Sequence, residues 1–415
     1  MSDAKKHPAS PWLSVIGIGE SGMDDLGDLA WSLIAEADHL LGGVRHLAMI
    51  PEDSTPNAER MIWPSPLSEV YPKLKALSGQ NVVVLASGDP MEFGMGGTLA
   101  RHFEWTEMRV LPSPSSFSLA ASVLGWPLNK VTRLTIHGRN PATILPHLLP
   151  GAKLLILTKD GSSPAQVARL LCERGLDQAQ LSILERLGGE KEKIIETTAL
   201  ALRDAGGALR FDDLNLLAVS LPAMWDGWLP TLAGLPDDAF EHDGKMTKRD
   251  VRASALAKLA PHPDALLWDV GTGCGSIAIE WLRAHPSCRA VGVEPQEKRR
   301  AFATHNAEML GVPSLRLLSG TAPDALRGEA EPDAVFIGGG LSDDVVNFCL
   351  KALKPGGRLV AHAVTLGSEQ LLLSMFDRHG GELTRLSIAK ATPVGPHHGW
   401  KASMPVTQWA FVKPV

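Results

Sequence analysis

Short apolar runs separated by helical stretches recur through both halves of this chain, and that rhythm constrains its fold more than any other feature. Leu13–Ile18 (LSVIGI), Val82–Ala86 (VVVLA), Leu154–Leu157 (LLIL) and Leu214–Val219 (LNLLAV) have the length and apolarity of buried strands. Asp28–Leu41 and Ala165–Arg174, between them, carry apolar residues at helical spacing. Such alternation predicts an α/β architecture with mainly parallel sheets. The rhythm breaks at Leu221–Lys245, a stretch rich in Pro, Gly and Asp whose two tryptophans and several leucines predict a packed connector, not a loose tether. It resumes with five strands, Leu266–Val270, Arg289–Val293, Leu315–Leu318, Ala334–Ile337 and Arg358–His362. Leu386–Ala389 and Gln408–Val412 add two more with no helix evident between them, predicting a hairpin-like antiparallel end to a seven-stranded sheet. The expected division is 1–222, a connector 223–244, and 245–415, which suits a chain of 415 residues at roughly 100–200 residues per domain.

Composition removes several function classes. Lys plus Arg number 40 against 46 Asp plus Glu, a net charge of −6, which argues against a broad basic surface for nucleic acid but leaves local pockets for anionic small molecules open. A chain 44% hydrophobic and 21% charged is not mainly disordered. The cysteines, Cys172, Cys274, Cys288 and Cys349, form no CxxC pair and no zinc-finger spacing, so reduced thiols and no metal site are expected. The N-terminal apolar run is too short for a signal peptide or a span, and no apolar run reaches the ~18 residues of a membrane helix. A cytoplasmic protein with no membrane partner is expected.

In the second half, Asp269-Val270-Gly271-Thr272-Gly273-Cys274-Gly275-Ser276 follows an apolar strand and opens a helix over Ile277–Arg283. Glycines at 271, 273 and 275 allow a sharp turn and the close approach of a ligand, and the helix N-terminus presents free N–H groups. A dinucleotide fingerprint wants G-x-G-x-x-G, but Ile277 stands at its last glycine. The next strand ends in Val293-Glu294-Pro295, where a carboxylate suits the two hydroxyls of a ribose. The plainer alternative is a glycine turn that merely packs strand on helix.

These residues resemble the S-adenosylmethionine (AdoMet)-dependent methyltransferases of the seven-stranded Rossmann-like class, and Leu353–Val360 (LKPGGRLV) looks like the approach to their fifth strand. Met246–Arg252 (MTKRDVR), DVGTGCGS, Gly320-Thr321-Ala322-Pro323 and Phe336-Ile337-Gly338-Gly339, in order, are similar to the decarboxylating precorrin methyltransferases of cobalamin synthesis. That resemblance implies AdoMet contacts from Thr247, Gly271, Thr272, Gly273, Cys274, Gly275, Glu294 and Ala322. One position departs: the family commonly carries an acid where this chain has Thr321, leaving the Ala322 backbone to serve.

In the first half, Val15–Glu20 (VIGIGE) ends a strand in a glycine turn, Ala86-Ser87-Gly88-Asp89-Pro90 follows another strand, and Pro112–Phe117 (PSPSSF) precedes a helix. Ligands sit at such strand ends in open α/β sheets, although Ser115-Ser116 by itself reads more readily as a helix cap. Together the motifs resemble the tetrapyrrole methylases, a different AdoMet fold of two α/β lobes with a cleft between them. The resemblance implies cofactor contacts from Gly88, Asp89, Pro90, Ser115 and Ser116. His137-Gly138-Arg139 and Leu157-Thr158-Lys159-Asp160 look like the precorrin C-5 methylase branch.

One chain carrying both halves resembles the fused, decarboxylating enzymes of the precorrin pathway. This implies one AdoMet per domain, a precorrin substrate, a homo-oligomer, methylation at C-5 by the first half, and methylation at C-15 with loss of the C-12 acetate carboxyl by the second, giving precorrin-8X. Methyl transfer needs alignment more than a protein nucleophile, and a polycarboxylate substrate wants cations around its cleft, for which His137 and Arg139 are the choices. Decarboxylation can use a proton donor; Lys248, Arg252, and His397-His398 in the loop Pro393–Met404 are the options, none singled out. Competing readings are an AdoMet enzyme on another modified tetrapyrrole, a nicotinamide enzyme with two Rossmann halves, and an AdoMet-sensing scaffold.

Overall fold

The computed structural model describes residues 11–206 and 209–415. The chain divides into two compact units, the residues through Arg139 with Pro150–Trp225, and Asn140–Leu149 with Asp226–Val415.

The first unit holds two five-stranded sheets. Strands β1 (Leu13–Ile18), β2 (His39–Gly42), β3 (Glu59–Ile62), β4 (Val82–Ser87) and β5 (Met108–Leu111) form an all-parallel sheet in the order β3-β2-β4-β1-β5. Every residue of β1 is buried, because layers cover both faces of a parallel sheet. Ile18 stands opposite Ser87 in the register, so the turns after β1 and β4 leave the sheet side by side. The helix expected over Asp28–Leu41 stops at Ala35, and His39–Gly42 is instead a strand. Leu40 and Leu41 face opposite sides of the sheet and are both fully buried, a placement that a helical reading of the same apolar residues cannot distinguish.

The second sheet contains β6 (Thr132–Thr135), β7 (Lys153–Leu157), β8 (Gln180–Glu185), β9 (Lys193–Thr198) and β10 (Asn215–Ser220), ordered β6-β7-β10-β8-β9. Only β6 and β7 run parallel; the remaining pairs are antiparallel, so the expectation of mainly parallel sheets fails for this lobe. The β8–β9 pairing needs only the short connection 186–192, too short for a helical crossover.

The second unit is one seven-stranded sheet of β11 (Leu266–Val270), β12 (Arg289–Val293), β13 (Arg316–Leu318), β14 (Ala334–Ile337), β15 (Arg358–Ala363), β16 (Glu382–Leu386) and β19 (Val406–Val412), ordered β13-β12-β11-β14-β15-β19-β16. The first five are parallel, and β19 runs antiparallel between β15 and β16. Alternation along β11 divides the core: Leu267 packs with Trp281 and Phe336 on one face, while Leu266, Trp268 and Val270 pack with Val335 and Trp409 on the other. Leu235 and Phe240, from the Pro/Gly/Asp-rich stretch, are buried in the first of these layers. Asn140–Leu149 also belongs to this unit: Pro141–His147 lies so close to Gly311 that a Cβ there would come within 2.4 Å of Pro146 Cδ.

The tail differs from expectation. Leu386–Ala389 straddles the end of β16 and the start of β17 (Ala389–Val394), and the loop expected over Pro393–Met404 contains β18 (His397–Ala402). β17 and β18 pair only with each other, outside the main sheet. Their mixed polar sequence, KATPV facing HHGWKA, hides the strand alternation that a half-buried sheet would display.

Candidate functional site

In the second unit the loops after β11, β12, β13 and β14 leave the same edge of the sheet, where ligands collect in open α/β folds. Gly271 has φ +71°, and a Cβ on it would lie 2.7 Å from the backbone of Gly339, so only glycine lets the turns after β11 and β14 touch. Glu294, at the end of β12, is buried, with one carboxylate oxygen accepting Gly273 N–H at 3.1 Å and the other Gln296 N–H at 3.0 Å. Each oxygen retains a lone pair for a hydroxyl. Asn306 holds the turn from behind, its side-chain amide donating to the Cys274 carbonyl at 2.9 Å and to the Glu241 carbonyl at 2.9 Å. Ala322 sits in the loop after β13.

Asp269 is the group that sequence reading missed. Its Oδ2 accepts from Thr272 Oγ1 at 2.6 Å and from Ala278 N–H at 3.2 Å, while Oδ1 is buried without a partner among the described residues. Burial pushes its carboxyl up to about 6, against the lowering pull of the Thr272 and Ala278 hydrogen bonds, and nearby Glu294 raises it further. An orphaned carboxylate oxygen beside a glycine cradle fits the ammonium of an amino-acid-bearing nucleoside. The sequence signal was present, since Asp269 is the last polar residue of an otherwise apolar strand before the glycines.

The structure distributes the proton-donor choices differently. Arg252 is fully buried and committed: Nε donates to Glu280 at 2.6 Å, Nη1 to Asp237 at 3.2 Å and to the Thr247 carbonyl at 2.6 Å, and Nη2 to the Leu235 carbonyl. It is a positioning residue for the Thr247 segment and not a donor to substrate. His397 and His398 are exposed on the β17–β18 hairpin. Lys248 is exposed at the start of the helix Arg249–Leu259. Thr247 is half-buried, and the neighbouring Lys245 carbonyl lies 3.8 Å from the position of a Cβ on Gly273, which brings this segment to the glycine turn.

In the first unit three turns interlock. A Cβ on Gly17 would sit 1.9 Å from the Gly88 carbonyl oxygen and 2.7 Å from Ser113 N, so the end of β1 and the turns after β4 and β5 meet only through a glycine. Ser113 Oγ donates to the Gly17 carbonyl at 2.7 Å. Gly88 has φ +54°, with Pro114 and Ser115 backbone atoms 3.1 Å from its would-be Cβ. Ser115 caps the helix Ser116–Leu124, its Oγ accepting Ser118 N–H at 3.2 Å, as the plainer reading expected. It nevertheless lines, with Gly88, Asp89, Ser116, His137 and Arg139, a cleft of about 870 Å³. Pro90 is buried behind the turn and does not line that cleft. Lys159, from the Leu157–Asp160 motif, also reaches the cleft, as do Arg101 and Arg186, cations that no motif had marked.

Matches to known proteins cover both units. Residues 13–202 match the tetrapyrrole (corrin/porphyrin) methylases, and residues 238–413 match the precorrin methyltransferase domain. A Sinorhizobium precorrin-6Y C(5,15)-methyltransferase [decarboxylating] is 48% identical over 415 residues, 100% of this chain and 99% of that protein. The chain belongs to the family of decarboxylating precorrin-6Y C(5,15)-methyltransferases. The protein of the same name from Mycobacterium tuberculosis (strain CDC 1551 / Oshkosh) is 39% identical over 403 residues, 96% of this chain and 99% of that one. The crystal structure of the C-terminal domain of precorrin-6Y C5,15-methyltransferase from Rhodobacter capsulatus is 45% identical, covers 45% of this chain and 100% of that one, and aligns with a TM-score of 0.43. This member of the family is an enzyme of cobalamin biosynthesis, a methyltransferase whose methyl donor is AdoMet. Among the described residues no helix is long and apolar enough to cross a membrane.

Proposed function

We propose that this chain methylates precorrin-6Y at C-5 and C-15 and removes the carboxyl of its C-12 acetate, giving precorrin-8X. We assign C-5 methylation to residues 1–222, C-15 methylation with decarboxylation to residues 245–415, and a joining role to 223–244. Each unit holds its own AdoMet, which brings an already activated methyl group. The observation that carries this reading is the pair of glycine cradles, at Gly17–Gly88 and at Gly271–Gly339, in one chain that matches a bifunctional enzyme along its whole length.

In the second unit, Asp269 Oδ1 takes the ammonium of the donor, Glu294 takes its ribose hydroxyls, and the turn Gly271 to Gly275 with Thr247 and Ala322 encloses the rest. In the first unit, Gly88, Asp89, Ser115 and Ser116 form the donor site, with Pro90 packed behind the turn. His137 and Arg139, joined by Arg101 and Lys159, face the propionate and acetate groups of the macrocycle. Arg139 stacks on Phe93, 6.0 Å from the ring centroid, which keeps a guanidinium at the cleft with little freedom to lose. Holding donor and ring carbon in line is worth roughly 7–11 kcal/mol of barrier. The protein works in the cytoplasm as a homo-oligomer, for which the hairpin β17–β18 offers Trp400, 79% exposed, to a second copy.

The test is to incubate the full chain with precorrin-6Y and AdoMet and follow mass. The expected product has gained two methyl groups and lost one carbon dioxide. With Gly17→Val the expected product has gained one methyl and lost carbon dioxide; a product of that variant that keeps the carboxyl would overturn the division of labour.

A further inference from the structure

Beside the Gly88–Pro90 turn, three side chains close a triangle that donor binding does not account for. His46 Nε2 lies 2.9 Å from Ser87 Oγ and 2.9 Å from Arg45 Nη2, and Arg45 Nη2 also donates to Ser87 Oγ at 3.1 Å. A guanidinium only donates. His46 Nε2 must therefore present a lone pair, which puts the imidazole proton on Nδ1, a buried atom with no partner among the described residues. Arg45 cannot easily turn away, because Glu20 pairs with it from the other side. Glu20 is in turn held by Arg186 Nη1 at 3.1 Å, and Arg186 Nε by Asp212 at 2.6 Å. Glu20, Arg45, His46, Ser87 and Arg186 all line the same cleft as His137 and Arg139.

We propose that Ser87 and His46 form a proton relay that carries away the proton lost by the C-5 bridging carbon when it is methylated. The proposal rests on the assignment of C-5 methylation to this unit. A bridging CH that gains a methyl must shed its hydrogen to restore conjugation. As the new carbon–carbon bond forms from the ring's π pair, the carbon–sulfur pair stays on sulfur. The C–H pair then returns to the macrocycle, the proton passes to Ser87 Oγ, and the Ser87 hydroxyl proton passes to His46 Nε2. Atoms and charge balance with one proton left on the imidazole, which the adjacent Arg45 drives out to solvent before the next turnover. Burial, and then the charge of Arg45, hold His46 down at about 4, so the acceptor stays empty at neutral pH. A weak base suffices, because the carbon it serves belongs to a cationic, electron-poor ring.

The test uses the full chain and two variants, His46→Gln and Ser87→Ala. In the ¹⁵N spectrum of histidine-labelled protein without substrate, the signal lost in His46→Gln should report a neutral Nδ1–H imidazole at pH 7. A protonated ring or an Nε2–H tautomer would overturn the proposal. With precorrin-6Y, kcat for C-5 methylation in His46→Gln should fall about a hundredfold, with KM and S-adenosylhomocysteine affinity within twofold of wild type. Substrate deuterated at C-5 should show a primary isotope effect in the variant that the wild type lacks. A kcat within twofold of wild type, or no isotope effect, would overturn it. Should His46→Gln not fold, Ser87→Ala carries the same measurements. A wild-type enzyme that leaves C-5 unmethylated contradicts the functional assignment instead, whereas an intact wild type with an unaffected variant contradicts the relay alone.

Discussion

On the proposed reading, the two units hold the same sulfonium donor with opposite materials. The second unit uses buried acids: Asp269 and Glu294 stand at the ends of neighbouring parallel strands, desolvated and fixed by backbone N–H groups and the Thr272 hydroxyl. The first unit uses backbone, packing three turns so closely at Gly17 that loops alone form the floor, and places its charges around the wall of an open cleft. The difference follows from topology. One twisted sheet gives a single edge on which side chains must supply the recognition, whereas two lobes enclose a ligand between surfaces.

The largest effect that would sharpen this comparison is expected at Arg252. It is buried with Glu280, and removing one partner of a buried pair strands the other charge at a cost of about 3–5 kcal/mol. Arg252→Ala should therefore unfold the second unit at lower denaturant, seen as loss of amide protection in β11 and β12 with β1 and β4 unaffected. Equal loss in both units would break the comparison.

A smaller and pH-dependent effect is expected at Asp269. Its folded-state value near 6 lies above the unfolded one, so ionisation costs stability that is absent below about pH 4 and complete above about pH 6. Asp269→Asn should thus stabilise the free enzyme by ~1–3 kcal/mol at pH 8 and by little at pH 4, while S-adenosylhomocysteine affinity in that unit falls at least tenfold. His46 behaves in the reverse sense. Its value is depressed to about 4, so the unfolded state takes protons first and stability drains from the first unit as pH falls from about 6.5 to 4. His362, depressed to about 4 by burial, and His147, lowered by burial and then by the charge of Arg283, do the same in the second unit, where Asp269 works against them. Hydrogen exchange at pH 7 and at pH 4.5 should show protection of β1 and β4 in the first unit falling as the pH drops, a loss that His46→Gln reduces.

Much of this was legible in the sequence because it lay in backbone requirements. The strands Leu13–Ile18, Leu266–Val270 and Arg289–Val293 are continuous apolar runs, and the turns at Gly17, Gly88 and Gly271 are glycines that no other residue can replace. What stayed hidden depends on tertiary context. The strand His39–Gly42 shares its apolar pattern with a helix, and the polar hairpin Ala389–Ala402 carries no alternation. Arg252 is polar in sequence yet fully buried, because its partners Glu280 and Asp237 lie 28 and 15 residues away. The triangle of Arg45, His46 and Ser87 joins residues 41 and 42 positions apart, and no local motif announces it.

The central claim, two separate donor sites of different construction, is tested most directly by isothermal titration of the full chain with S-adenosylhomocysteine. Two equivalents per chain are expected, reduced to one by Gly17→Val and to one by Gly271→Val, with the remaining site differing in affinity between the two variants. A single equivalent for the wild-type chain would contradict it.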